Sequence, residues 1–576
     1  MFQSNKIKQI LAKNYILFIG ICVIILVSTR YLDRLNYPAV LNDEFGYWAN
    51  AASLAGYDWK GLISETPYYS YGYSLFLLPI ICFFSPIYWY KVGIILNIVM
   101  LCFSYLICYK VSRKIYVDCE IKVLQLISLI VILFPSNIVY AQETWTETIL
   151  YLLMWIVAYG LMKLEEKFSW LFFILLNFIL AFMYMVHARS IAIVGITVLF
   201  EIIILKLHKK KYILFLLAII IIGTVYVVND QIKNIIIDNY YLNSSTSDIN
   251  NVGLDSGTIT KYINRALEYG KQIVLSFGYK LIFMIVASGM TLGFGIYNIC
   301  KDIFVCIKEK GYFKATIVKG WILLSFLGEL FICAIQMYNF ESRKDIVVYS
   351  RYFENALGPL LLMSLVCIYL NSRENRWIHI IQDIIVLVFI PRIITIIIKA
   401  EGFFNGICSP VMGGFYDFVE NREELSTVIL SIVFLISGII LFVGLFVQNR
   451  KMLLLLLCPI FIFFIIMGEK GSDYVLRHRE KVDKTVLGIE SIIEEEYEEK
   501  DIFYVRYSKK DQYSIWPKYL QFLVPRNRIR VVEDIPNETK SLILLNNGDS
   551  ESKNKIQDKY VLLYKGTELS LYKAEK

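Results

Sequence analysis

Long apolar blocks dominate this chain and leave it few ways to fold. Each runs to about 17 to 25 residues, the length that crosses roughly 30 Å of hydrocarbon at about 1.5 Å per helical residue. In lipid a block must satisfy its own backbone, which a helix does and an open strand does not. The spacing predicts thirteen crossings, at 13–29, 87–109, 122–140, 147–163, 169–186, 190–206, 212–229, 274–299, 316–336, 354–371, 378–399, 426–447 and 452–467. With 57% hydrophobic and 19% charged residues among 576, the chain reads as a polytopic α-helical membrane protein.

Charge sets the expected orientation. Lys6, Lys8 and Lys13 lead into the first block. That block is too long for a removable signal peptide and has no small-residue cleavage site, so it reads as a retained anchor with a cytoplasmic N-terminus. Basic segments then fall on alternate loops: "YKVSRK" at 109–114, "KLHKKK" at 206–211, "KDIFVCIKEK" at 301–310, and Arg450 with Lys451. The stretches 30–72, 141–146, 230–273, 337–353, 400–425 and all that follows 467 are thereby placed outside the cell membrane. The net charge of +8 is this topology signal and implies no nucleic acid. Most of the eleven cysteines lie in or beside apolar blocks, so no disulfide framework is expected. His187, His208, His379 and His478 lack metal-ligand spacing, and a zinc site is not expected. No phosphate-binding glycine loop occurs, which disfavours an ATP-driven machine.

The composition changes near Ser472. "SDYVLRHREKVDKTVLGIESIIEEEYEEKD" reads as a charged amphipathic helix, and "IFYVRY", "RIRVVED", "SLILL" and "YVLLYKGTELSLYK" read as short strands. "SIWPKYLQFLV" reads as a helix between the first two strands. The expected domains are a membrane module over 1–470, with its first exterior loop at 30–86, and a small exterior α/β domain over 471–576.

The first exterior loop carries the chemistry. It opens with "NDEFGYW", where Asp43 and Glu44 precede an aromatic and small-residue segment containing Tyr47 and Trp48. It continues through Tyr68, Tyr69, Tyr71 and Tyr73 into an apolar stretch, ending at Pro86, that is too short to span. The loop therefore folds back on the membrane, where Tyr and Trp also serve as interface residues. An acidic pair in the first exterior loop, an aromatic and Gly/Ala segment, a Pro/Tyr-rich re-entry and thirteen crossings with a small exterior tail resemble the GT-C membrane glycosyltransferases. Protein O-mannosyltransferases and lipid A aminoarabinose transferases are the nearer relatives. The resemblance covers topology over most of the chain, and sequence over 40–200 and 340–360.

That resemblance implies an α-helical GT-C-like fold and an inverting enzyme that takes sugar from a polyprenyl-phosphate donor outside the membrane. An attacking hydroxyl must lose its proton, and a carboxylate base is worth about 100- to 10,000-fold in such a step. Asp43 matches the family's acidic residue. Glu44 is read as orienting Asp43 or the acceptor, because adjacent side chains point apart. A leaving lipid phosphate needs fixed positive charge. Arg351 with Tyr352, in "YSRYFENALGP", match the family's late-loop Arg-Tyr pair, while Arg189 in "YMVHARSIAIV" and Lys91 in "YWYKVGIILN" are further candidates. In "AQETWTETILY", Glu143 and Glu147 are four residues apart and share a helical face. In the resembling enzymes an acid in this loop lies near the active site, and Glu147 is the closer match. Tyr47, Trp48, Tyr69 and Tyr71 complete the candidate set as substrate-loop aromatics.

The mannosyltransferases' inserted exterior domain is absent and a C-terminal tail takes its place. No cofactor or metal is expected. The partners implied are a polyprenyl-phosphate-linked sugar, a glycan or lipid acceptor, and membrane lipids. A lipid-linked sugar transporter or flippase, and a glycan ligase or polymerase, are the alternatives. The first would show acids at the bilayer midplane, the second a large late exterior loop.

Overall fold

The computed structural model describes residues 2–38, 41–63, 68–210, 213–241, 256–309, 315–341, 343–371, 374–447, 452–497, 500–506, 515–536, 541–556 and 560–574. Arg450, Lys451 and residues 242–255 of the third exterior loop lie outside them.

The chain is a multi-pass helical membrane protein. Ten helices among the described residues are long and apolar enough to cross a membrane, eleven if the bent pair Ile121–Ile132 and Pro135–Ala141 is one crossing. All thirteen expected blocks fall on apolar helices, but two of them are shorter than that length. Trp170–Val186 and Glu354–Leu370 are shorter apolar helices; the chain turns extended at Ser169 and His187, which limits the first of them. The expected span 274–299 is two helices, Gly270–Ala287 and Leu292–Lys308. Gly289 and Met290 between them adopt φ of 64° and 63°. The Met290 N–H donates to the Ile285 carbonyl at 2.9 Å, a left-handed helix stop. Apolar residues run straight through this turn, so hydropathy does not show it.

Prolines place several helix starts that matter for the site. Pro86 opens the helix Pro86–Ile115, and Pro135 restarts the chain after a 61° bend. Proline suits a first helical turn, where its missing N–H has no partner to lose. The re-entrant segment is the helix Tyr71–Phe83. At Gly72 an added Cβ would lie 2.5 Å from the Met185 carbonyl, so glycine lets this helix touch the backbone just ahead of Arg189.

One helix, Cys458–Glu496, carries the last apolar stretch out into the soluble domain. Five strands follow: β1 Asp501–Val505, β2 Arg528–Val532, β3 Leu542–Asn546, β4 Tyr560–Lys565 and β5 Leu569–Ala574. Their order is β2-β1-β3-β5-β4, with β1 parallel to β2 and β3, and β5 antiparallel to β3 and β4. The helix Trp516–Leu523 between β1 and β2 packs onto the helix Leu41–Leu54. Phe522 meets Trp48, Trp89 and Tyr90 edge-on at 5.3, 6.2 and 6.2 Å between ring centres. Trp59 Nε1 donates to the Pro525 carbonyl at 3.0 Å.

Candidate active site

Asp43 and Glu44 lie in the first turn of the helix Leu41–Leu54, where the free N–H groups favour negative charge. The Tyr69 hydroxyl donates to Asp43 Oδ1 at 2.7 Å. Gly46 makes that approach possible, because an added Cβ would sit 2.1 Å from the Tyr69 ring. The glycine in "NDEFGYW" is thus a seat for the tyrosine. Asp43 also pairs with Arg351 Nη1. Burial pushes its carboxyl pKa up, but the charge and hydrogen bond of Arg351, with the bond from Tyr69, outweigh that and hold it below the ordinary carboxylate value.

Arg351 joins two acids. Its Nε donates to Glu147 Oε1 at 2.7 Å, and its guanidinium lies 3.6 Å from the centre of the Trp145 ring. Arg189 Nη2 donates to the same Glu147 oxygen at 2.9 Å and stacks 4.8 Å from the Tyr352 ring centre. Asp43, Glu147, Arg351 and Arg189 form a continuous cluster of two carboxylates and two guanidiniums. Arg351, Glu147 and Arg189 are 4%, 3% and 0% exposed, whereas the Asp43 side chain is 26% exposed. Several buried polar atoms here have no partner among the described residues: Glu147 Oε2, Arg189 Nε and Nη1, the Trp145 Nε1, and both Glu329 oxygens. Buried donors and acceptors are costly when unmade, so the cluster has hydrogen-bonding capacity in reserve for a polar ligand.

Glu44 faces away from this cluster, as its adjacency to Asp43 demands. Its Oε1 accepts from Tyr90 Oη at 2.8 Å, from the Thr144 N–H at 2.5 Å and from Thr144 Oγ1 at 2.8 Å. Arg479 Nη2 donates to Tyr90 Oη at 2.6 Å and lies 3.4 Å from Glu143 Oε2, while its Nη1 donates to the Tyr37 carbonyl. Glu44, Glu143 and Arg479 are fully buried or nearly so. Burial first, then the neighbouring Glu44, pushes the Glu143 pKa well above the ordinary value against the pull of Arg479.

The structure therefore splits the sequence-predicted acids between two clusters. Asp43 and Glu147 share Arg351, while Glu44 and Glu143 share a sealed pocket. Among the aromatics, Tyr47 packs 5.4 Å from the Tyr69 ring, and Trp48 Nε1 donates to Thr144 Oγ1 at 2.9 Å. Tyr71 is buried with its hydroxyl unpartnered. Lys91 is half-buried at the start of the helix Pro86–Ile115 and forms no ion pair with a described residue. Among the described residues no group of three or more His, Cys, Asp or Glu converges as a metal cage.

Sequence reasoning missed Trp145, Tyr90, Thr144 and Arg479. A signal for Arg479 was available: Gly468, Ser472, Val475 and Arg479 recur at helical spacing. That face packs inward, with Gly468 against Ile138 and Ser472 Oγ accepting from Gln142 Nε2 at 2.9 Å.

The fold and site define a class: a polytopic membrane protein with a loop-borne acid–arginine cluster and a small soluble domain on its last helix. Among solved structures the chain resembles ArnT, the lipid A aminoarabinose transferase of Cupriavidus metallidurans. The apo structure aligns with a TM-score of 0.55 at 10% identity, over 96% of this chain and 97% of that one. The structure bound to undecaprenyl phosphate aligns with 0.53 at 9% identity over the same shares. An apo oligosaccharyltransferase of Archaeoglobus fulgidus aligns with 0.45 at 9% identity, over 90% of this chain and 64% of that one. No protein-family model and no curated sequence matches the chain. The fold is the GT-C fold, ArnT-like along nearly the whole chain.

Proposed function

We propose that this protein is an inverting glycosyltransferase. It moves a sugar from a polyprenyl-phosphate donor to a glycan, lipid or other acceptor on the outer face of the membrane. The observation that carries the reading is the Asp43 cluster: one partly exposed carboxylate beside two buried guanidiniums, of which Arg189 leaves Nε and Nη1 without a partner among the described residues. Undecaprenyl phosphate bound to a protein of the same fold supports a lipid phosphate as ligand.

In this reading the acceptor oxygen attacks the anomeric carbon from the side opposite the phosphate. Asp43 takes the hydroxyl proton as the new C–O bond forms. The bond from the anomeric carbon to the phosphate oxygen breaks, and that oxygen leaves with the electron pair on polyprenyl phosphate. Arg351 and Arg189 stabilise the added charge, and their fixed positions avoid reorganisation at that moment. Lys91, which has no protein counter-ion among the described residues, is a third cation offered to the phosphate. Glu147 holds both arginines in place, and Tyr69 holds Asp43. Tyr47, Tyr69 and Tyr71 shape the contact with sugar, and Trp48 backs them from the box closed by Phe522.

The deciding experiment is a transfer assay on purified protein in lipid with a panel of polyprenyl-phosphate sugars and the Asp43→Asn variant beside the wild type. Release of free polyprenyl phosphate that disappears in the variant supports the proposal. No release with any donor would leave the transporter and the ligase readings in its place.

A further inference from the structure

The soluble domain and the acidic loop are far apart in the chain yet share a buried polar network. Arg479 belongs to the helix that leads into the domain, and it is 2% exposed. Its guanidinium touches three things from the membrane module: the Tyr37 carbonyl, the Tyr90 hydroxyl and the Glu143 carboxyl. It also lies 4.9 Å over the Tyr90 ring. Tyr90 Oη in turn donates to Glu44, the neighbour of Asp43. Two side chains therefore separate Arg479 from the helical turn that carries Asp43.

The same face is closed by packing. Phe522 fills the box formed by Trp48, Trp89 and Tyr90, and Tyr37 meets Tyr519 edge-on at 5.2 Å. Trp48 also hydrogen-bonds Thr144, the residue that donates twice to Glu44. A helix pinned at residue 44 on one side has its neighbour at 43 fixed on the other, about 100° around the axis.

We infer that Arg479 is a positioning residue, through which the exterior domain holds the acidic helix so that Asp43 faces Arg351. It balances the negative charge that the buried Glu44 and Glu143 carboxyls carry between them, and without it that charge is uncompensated in a site that water does not reach. Glu44 then loses its fixed place on the loop at 142–146, and Asp43 turns with it. The inference rests on the proposed function only for what Asp43 does.

The test uses full-length protein in lipid and two variants: Arg479→Gln, and Arg479→Gln combined with Glu143→Gln. Two quantities are read: kcat and donor KM for sugar transfer, and amide hydrogen exchange over residues 43–50. Arg479→Gln should lower kcat by about 10- to 100-fold, the scale of a small misplacement of a reacting group, with donor KM nearly unchanged. Exchange over 43–50 should quicken. The double variant replaces one acid of the pair with an amide that can donate to Glu44, and it should regain most of both quantities, which a loss of mere packing would not allow. Wild-type kcat and exchange in Arg479→Gln overturn the inference, as does a double variant no better than the single one. Absence of transfer in the wild type overturns the proposed function alone, because the exchange measurement still decides whether Arg479 positions the helix.

Discussion

Asp43 and Glu44 are consecutive carboxylates on one helical turn, and the fold gives them opposite surroundings. Asp43 keeps about a quarter of its side chain open and meets a balanced set of two acids and two arginines. Glu44 is sealed, accepts three hydrogen bonds through one oxygen, and shares its pocket with a second acid and only one arginine. The open group can exchange a proton with an incoming molecule; the sealed one can only hold something still. Identical chemistry in neighbouring positions thus divides, in the proposed function, into a reacting and an anchoring role, decided by what each side of the helix packs against.

The largest break in this comparison should come from Asp43→Asn. The amide keeps the shape and cannot accept the proton, so turnover should fall by about 100- to 10,000-fold while donor lipid still binds; lipid-binding and transfer assays on one preparation separate the two. Asp43→Asn turning over at the wild-type rate would reassign the base. Next comes Phe522→Ala, which empties the aromatic box behind Trp48. Truncating a buried phenylalanine costs about 3–5 kcal/mol, and thermal unfolding of the purified protein should show the loss in the soluble domain and its contact with the loop.

Arg351→Gln addresses the open cluster through pH. The Asp43 carboxyl titrates below its ordinary value, so its ionised form persists to lower pH than usual, and activity that needs it is lost only as pH falls through that depressed value. The acid limb of the pH–rate profile should therefore lie below the ordinary aspartate range in the wild type and move upward in Arg351→Gln. It should move less in Tyr69→Phe, which removes a hydrogen bond and no charge. An acid limb that stays put in Arg351→Gln would show that another group controls it. The smallest effect is expected of Lys91→Gln: with no ion pair to lose, it should raise donor KM by several-fold and leave kcat nearly alone. A collapse of kcat instead would move Lys91 into the reacting cluster.

Much of the membrane architecture was legible from the residues, because the hydrocarbon slab allows a long apolar block little besides a helix. What failed was local. The left-handed turn at Gly289 and Met290 splits an apolar run that hydropathy reads as continuous. The strands of the soluble domain were readable as short apolar runs bounded by charged and turn residues, and β1 and β3 are buried along almost their whole length.

The candidate site was half legible. A costly charge at a membrane edge stands out in a greasy sequence, which is how Asp43, Arg189 and Arg351 come forward from residue type and place alone. Their partners do not. Asp43 and Arg351 are separated by 308 residues, and Arg479 and Glu143 by 336. Residue type alone does not distinguish Arg479 in "VLRHRE", 2% exposed, from Arg477, whose side chain is 62% exposed; only its place on the face of Gly468, Ser472 and Val475 does. By itself the sequence determined that this chain crosses a membrane many times, carries the acids and cations of its candidate site at the ends of its spans, and has a small α/β region after the last of them. Only the tertiary structure decided which acid meets which arginine, since burial and pairing of charge depend on helices that the chain brings together from its two ends.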